Sequence, residues 1–266
     1  MVATMKTKSA LSYFGSDSEV AAELASMLDD CKHVTIPFVG GASILPHLKA
    51  RAIVANDLHD RAIVFYRVMS GCMGQNAKDY LIQRCQKTLS HPAEMVSAQS
   101  QLNSTCEADA AWAFWALCWI GRKGKGGTKH QGGMPSVRRT ANGGTNASRI
   151  RAAAADLEEW AKQFERCEWE SIDCFELLAK VADRQGCGVY CDPPWVGVGR
   201  NYLHNFDEND HRDLAFALSR FDEATVVVRY GDNPLIRELY GDWRIVEASS
   251  RDQCNATKGE VWITNK

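Results

Sequence analysis

Val34-Thr35-Ile36-Pro37-Phe38-Val39-Gly40-Gly41, followed by Ala52-Ile53-Val54-Ala55-Asn56-Asp57, decides the fold. The first run reads as a strand over 34–38 that ends in a glycine turn, since glycine tolerates backbone angles and close approaches closed to other residues. Ser43 is placed to cap a helix through about Ala50, and Pro46 is tolerable within its first turn. The second run reads as a strand over 52–55 that ends at Asn56-Asp57. Strand, glycine turn, helix, strand and then an acid is the layout of a nucleoside-binding βαβ unit.

Asp57 lies about 20 residues beyond the turn, where a carboxylate can accept both ribose hydroxyls. The full G-x-G-x-x-G pattern is absent, and no lysine stands where a phosphate-binding loop needs one. That disfavours dinucleotides and nucleoside triphosphates. It leaves a nucleoside without a phosphate, such as S-adenosylmethionine. A plain structural βα turn accounts for the same residues.

Outward from that unit the chain reads as three pieces. Residues 1–70 are α/β, 71–166 break the rhythm, and 167–266 return to it. In the middle piece Glu107 to Ile120 has helical period, with Trp112, Trp115 and Trp119 on one face. Such spacing points to core packing, with base stacking as the rarer reading. Gly121 to Arg151 holds eight Lys or Arg, eight Gly and no Asp or Glu, so it carries +8 while the rest carries −10. Arg122, Lys123, Lys125, Lys129, Arg138, Arg139 and Arg149 form a local positive field, the footprint of a polyanion-binding surface. A solvated loop is the bland alternative. A helix over about 151–165 closes the piece. In the last piece the pattern predicts strands near 169–172, 188–191, 224–229, 243–247 and 260–264, with helices near 208–219 and 234–240. Two α/β parts flanking a basic, glycine-rich segment suggest one sheet carrying an inserted module.

Gly188-Val189-Tyr190-Cys191 is a buried-strand pattern that runs into Asp192-Pro193-Pro194-Trp195. Two prolines stop the strand, because proline lacks an amide donor and has a fixed φ. The turn holds a carboxylate and an indole at the carboxyl end of a strand, the edge where open α/β sheets bind ligands. Asp192 and the Pro193 carbonyl can each accept one N–H of a flat amine, and Trp195 can stack on the ring. Methylation of a base amino group suits that arrangement; a capped turn beside a core tryptophan is the alternative. Asp173 after Ile172 is open between two roles, bonding an adenine amino group or capping the following helix.

Composition narrows the class. The 266 residues have a net charge of −2, so total charge selects no partner. Ten cysteines without a C-x-x-C pair, and no apolar signal segment, read as reduced thiols of a cytoplasmic protein. Cys167, Cys174, Cys187 and Cys191 match no common zinc spacing, so no metal is expected. The longest apolar run, Ala110 to Ile120, falls short of the ~20 residues a membrane span needs.

Tyr13-Phe14-Gly15, Pro37-Phe38-Val39-Gly40-Gly41, Asn56-Asp57-Leu58, the basic insert, Asp192-Pro193-Pro194-Trp195 and Lys258 to Ile263 resemble, in kind and order, the Dam-like DNA N6-adenine methyltransferases. The resemblance spans nearly the whole chain. It implies a Rossmann-like class I S-adenosylmethionine-dependent methyltransferase sheet with an inserted helical target-recognition module. It implies an enzyme that methylates N6 of adenine in double-stranded DNA, with base flipping and no covalent intermediate, in a prokaryotic or phage-type protein. Tyr13, Phe14, Gly15, Pro37, Phe38, Gly40, Asp57, Leu58 and Asp173 are the implied cofactor residues. Asp192, Pro193, Pro194 and Trp195 are the implied catalytic residues.

Two positions depart from the family. Its members commonly have lysine where this chain has Asp17, and glutamate where it has Ile36. Both changes remove groups expected near the methionine end of the cofactor, and they favour the rival reading of a catalytically silent DNA-binding relative. Trp195 in place of tyrosine keeps RNA or single-stranded nucleic acid open as a substrate, and cytosine N4 is chemically possible. The insert differs from that of the best-known member, so its GATC target does not transfer.

Overall fold

The apolar runs pair side by side in the computed structural model of the chain, whose described residues are 9–13, 20–121, 145–197, 203–204, 206–251 and 257–266. The strands are β1 (His33–Ile36), β2 (Ala52–Asn56), β3 (Cys167–Glu170), β4 (Cys187–Cys191), β5 (Thr225–Gly231), β6 (Arg244–Arg251) and β7 (Thr257–Thr264). They form one sheet in the order β3-β2-β1-β4-β5-β7-β6. β1 is parallel to β2 and β4, and β4 is parallel to β5. β7 runs antiparallel between β5 and β6. The chain lays down β1, β2 and β3 in one direction and starts back from β4, so strand order reverses between β1 and β4. Beyond the carboxyl ends of strands at such a reversal is where open α/β sheets bind ligands. The Rossmann-like α/β expectation holds.

The helices among the described residues are α1 (Ala21–Ser26), α2 (Asp60–Met69), α3 (Gln75–Lys87), α4 (Pro92–Gln101), α5 (Glu107–Ile120), α6 (Asn146–Ala155), α7 (Leu157–Phe164), α8 (Cys174–Lys180), α9 (Glu208–Leu218) and α10 (Pro234–Leu239). The described residues fall into two compact units. One lies within Met1–Ser16, Gly40–Pro46 and His59–Trp169, and the other within Asp17–Val39, His47–Leu58 and Glu170–Lys266.

In the sheet-bearing unit, side-chain alternation sorts β5 and β7 into two faces. Val226, Val228, Tyr230, Val261 and Ile263 join Leu178 of α8, Leu214 and Leu218 of α9 and Ile236 of α10 in one buried cluster. Each fully buried aliphatic side chain of this kind contributes about 1.5–3 kcal/mol. Arg229, Gly231, Glu260 and Trp262 alternate with these residues.

In the helical unit α5 is the central pillar. Ala111 to Ile120 are all buried, as expected of a helix apolar all round. The three tryptophans therefore pack in the core. Trp112 Nε1 donates to Thr88 Oγ1 at 2.8 Å, Trp119 Nε1 to the Ala10 carbonyl at 3.1 Å, and the Arg84 guanidinium lies 3.7 Å from a Trp112 ring centre.

Two local expectations need correction. The helix expected over Ser43–Ala50 is only a 3-10 turn, Leu45–His47. Ala42 just before it takes a φ of 60°, and Pro46 brings no amide to continue a ladder. The helix expected over 151–165 starts earlier, at a Thr145–Ser148 capping box, and divides at Asp156 into α6 and α7. The buried stripe Ile150, Ala153, Leu157, Trp160 and Phe164 runs through both helices, so periodicity alone does not mark the division.

Candidate active site

Asn56 ends β2 and is 1% exposed, so its side-chain amide must find partners. Its nitrogen donates to the carbonyls of Pro37 and Ile172, both at 3.0 Å, and its oxygen accepts the Ile172 N–H at 2.9 Å. The Val39 amide donates to the Asn56 carbonyl at 2.8 Å. Ser171 Oγ donates to the Asp57 carbonyl at 3.2 Å. One asparagine thus stitches together the segments that follow β1, β2 and β3. Those segments carry Phe38, Asp57 and Asp173. Leu58 is exposed and Asp57 half-buried. Asp173 Oδ1 accepts the Phe175 N–H at 2.8 Å as the N-cap of α8, so the capping role is present. Ile36, by contrast, is fully buried at the end of β1.

Asp192 follows β4 directly. Its side chain is 22% exposed, and its Oδ2 accepts from Arg229 Nη1 at 3.3 Å. Trp195 Nε1 donates to the other oxygen, Oδ1, at 3.4 Å. The turn therefore brings carboxylate and indole together. Pro193 is buried, and Trp195 and Phe38 both pack against the core cluster under the sheet. Burial holds the Asp192 carboxyl above its ordinary range, and the Arg229 charge pulls it back down.

Arg229 is 4% exposed at its side chain and divides its fork between two acids. Nη2 donates to Glu260 Oε2 at 2.8 Å, and the fully buried Glu260 also accepts Trp262 Nε1 at 2.8 Å. Burial acts to lower the Arg229 pKa, but Asp192 and Glu260 outweigh it and raise it. The guanidinium carbon stands 5.4 Å from a Trp195 ring centre. Gly231, two residues on, leaves room for that indole: a Cβ there would lie 2.6 Å from Trp195 Cε3. Sequence reasoning missed Arg229, and it quoted Asn56 and Glu260 within motifs without giving either a role. The signal for Arg229 and Glu260 was a charge inside each of two otherwise apolar strands, Val226-Val227-Val228-Arg229 and Glu260-Val261-Trp262-Ile263, because a buried charge requires a partner.

In the helical unit the Tyr13 hydroxyl is hydrogen-bonded to His59 Nδ1 at 3.1 Å. His59 is buried, its ring edge-on to Phe114 with centres 5.0 Å apart. The Gly40 φ of 49° is left-handed, which favours glycine, and the Tyr66 hydroxyl donates to its carbonyl at 2.5 Å. Of the seven basic residues singled out, Arg149 is exposed near the start of α6, its guanidinium carbon 5.8 Å from the Trp119 ring centre. Arg122, Lys123, Lys125, Lys129, Arg138 and Arg139 lie outside the described residues, as do Phe14, Gly15 and Asp17.

Burial pushes the Cys167 and Cys174 thiols up to about 12 and Cys191 well above its ordinary value, so these stay protonated and are poor nucleophiles. Among the described residues no His, Cys, Asp or Glu cluster could hold a metal ion, and no helix is long and apolar enough to cross a membrane.

No curated protein matches the chain. A family model described as D12 class N6 adenine-specific DNA methyltransferase matches residues 13–253, nearly the whole chain and a span that contains the motifs from Tyr13 to Trp195. The reversal point of the sheet, the carboxylate–indole turn after β4 and this match agree: the chain belongs to the D12 class of N6 adenine-specific DNA methyltransferases.

Proposed function

We propose that methyl transfer takes place at the end of β4, with Asp192 and the Pro193 carbonyl holding the N6 amino group of a target adenine and Trp195 stacked on its ring. The family methylates adenine N6 in DNA with S-adenosylmethionine as donor, so this chain is a transferase acting on DNA. The pairing of Asp192 with Trp195 through Nε1 and Oδ1, on a carboxylate left partly open, supports the assignment best.

An amino group conjugated with a purine is a poor nucleophile. Two acceptors on its hydrogens draw it toward tetrahedral geometry and free the lone pair. S-adenosylmethionine supplies a methyl carbon on a positively charged sulfur; its transfer to nitrogen neutralises the sulfur and frees one amino proton. The chain's own task is then positioning and electrostatics, and no covalent enzyme intermediate is required. The target atom is stacked inside duplex DNA, so the base flips out, and stacking on Trp195 offsets part of that cost, about 1–3 kcal/mol.

The donor set fits the adenosine part of the cofactor. Asp57 offers a carboxylate to the ribose hydroxyls, Phe38 an apolar face, and Asp173 an acceptor for the adenine amino group, with Pro37 and Leu58 alongside. Tyr13 and Gly40 of the helical unit are assigned to cofactor contact, as are Phe14 and Gly15. A buried Ile36 supplies no carboxylate for the methionine part. Arg149 and the basic residues from Arg122 to Arg139 grip the phosphates of double-stranded DNA, and residues 71–166 act as the target-recognition region between the methyltransferase parts 1–70 and 167–266. The setting we assign is the cytoplasm, in a protein of prokaryotic or phage type, where the free cysteines of the described residues stay reduced.

Asp192→Ala is expected to lower methyl transfer by about 100-fold or more while S-adenosylmethionine binding by calorimetry stays intact. Near-normal turnover of that variant would overturn the assignment.

A further inference from the structure

Arg229 is costly where it stands. Its neighbours Val226, Val227 and Val228 are buried apolar residues, and a buried ion pair is commonly no more stabilising than apolar packing of the same volume. Its charge is therefore best explained by what it touches. Those partners include Asp192 through Nη1, Glu260 through Nη2 and the ring of Trp195.

We propose that Arg229, braced by Glu260, is a positioning residue for methyl transfer: it fixes the Asp192 carboxylate and the Trp195 indole together, in the arrangement that receives the target base. This rests on the reading of Asp192 and Trp195 as the residues that hold the adenine, and it deepens that reading.

The geometry has three parts. First, β4 and β5 pair in parallel with Cys191 opposite Val228, so Asp192 and Arg229 are the next residues along on each strand. Second, β5 and β7 pair with Arg229 opposite Trp262 and Gly231 opposite Glu260. The four side-chain positions share one face of the sheet, and Trp262 Nε1 holds the other Glu260 oxygen, Oε1. Third, Gly231 clears the space that Trp195 fills. Strand register alone thus delivers a guanidinium to the base of the Asp192 turn.

The charges also matter. Asp192, Arg229 and Glu260 sum to one negative charge. Arg229 with Asp192 alone would be a neutral pair, a weaker acceptor for the amino group. Glu260 offsets the guanidinium, so the assembly keeps a net negative charge where positive charge develops on N6 during transfer. An ionised carboxylate has about four acceptor sites, so bonds from Arg229 and Trp195 leave capacity for a substrate N–H. Among the described residues, the other titratable groups that interact with Asp192 include Tyr190 and Cys191 of β4 and Tyr230 of β5. Burial raises all three, so they stay neutral. Arg229 and Glu260 are the charges that tune Asp192, in opposite directions.

The test is the pH dependence of single-turnover methyl transfer to duplex DNA by the full chain. The double substitution Arg229→Met with Glu260→Met removes both partners of the buried pair and keeps their volume. It is expected to leave S-adenosylmethionine binding intact, to lower the transfer rate about 100-fold and to move the acid limb to higher pH. The isosteric Glu260→Gln is expected to move the limb the other way, to lower pH, because Arg229 then acts on Asp192 unopposed. Opposite movements are a signature that loss of packing alone does not produce. A folded double variant with a rate within about threefold of the parent overturns the proposal, as does an unmoved limb in Glu260→Gln, which decides alone if the double variant fails to fold. Asp192→Asn run in parallel separates the two claims. If it stays active, the reading of Asp192 itself fails; if it is inactive while the Arg229 and Glu260 variants behave as the parent, only the role of Arg229 fails.

Discussion

In the proposed role, Asp192 is an acceptor that is neither free nor fully sequestered. Water reaches part of its side chain, burial raises its pKa and the cation beside it restrains that rise. The indole three residues on is held as closely. Gly231→Ala would set a methyl 2.6 Å from Trp195 Cε3, closer than packed carbons come. The indole must then shift, at a cost of about 1–3 kcal/mol in stability for the overpacking. The expected outcome is a lower melting midpoint together with a weakened KM for DNA; an unchanged KM would separate Trp195 from the base. At this scale Asp192 and Trp195 were legible because a proline pair advertises the turn. The partnership of Arg229 with Glu260 and Asp192 was not, because pairing between β5 and β7 is a non-local fact that a local motif does not carry.

Among the elements, strand ends matter most for the site. Asn56 makes three side-chain hydrogen bonds to the segments after β1 and β3. Asn56→Ala leaves the Pro37 carbonyl unsatisfied in a buried place and the Ile172 groups in a half-buried one, so a loss of about 2–4 kcal/mol is expected by urea denaturation. Weaker S-adenosylmethionine binding should accompany it, since Phe38, Asp57 and Asp173 hang from those segments; full cofactor affinity in the variant would contradict their assignment. The strands and α5 were legible, because apolar alternation and an apolar run of helical length are local signals. The short Leu45–His47 turn was not: Ser43 and Pro46 carry helix-start chemistry, but the left-handed Ala42 and the short span between β1 and β2 leave room for a single turn. Asn56 read as the end of a strand, and its stitching role depends on partners 19 and 116 residues away.

For the whole molecule, the family match gives an adenine-specific DNA methyltransferase, and the proposal divides its work into chemistry at the end of β4 and grip on DNA by the basic segment. A grip of that kind is electrostatic and so depends on salt. Every phosphate that the protein ceases to neutralise reduces the slope of log affinity against log salt by about 0.9, so Arg138→Ala with Arg139→Ala should flatten it by about 2. A slope identical to the parent's would remove those arginines from the interface. The order of motifs along the chain made the family legible, but the recognition sequence was not, because base-edge contacts follow from side-chain placement rather than from composition.

The most direct test is mass spectrometry of nucleosides from the DNA of cells that express the chain. N6-methyldeoxyadenosine should accumulate with the parent sequence and fall to background with Asp192→Ala at equal protein level. Equal accumulation with both, or none with a parent protein that binds S-adenosylmethionine, would contradict the account.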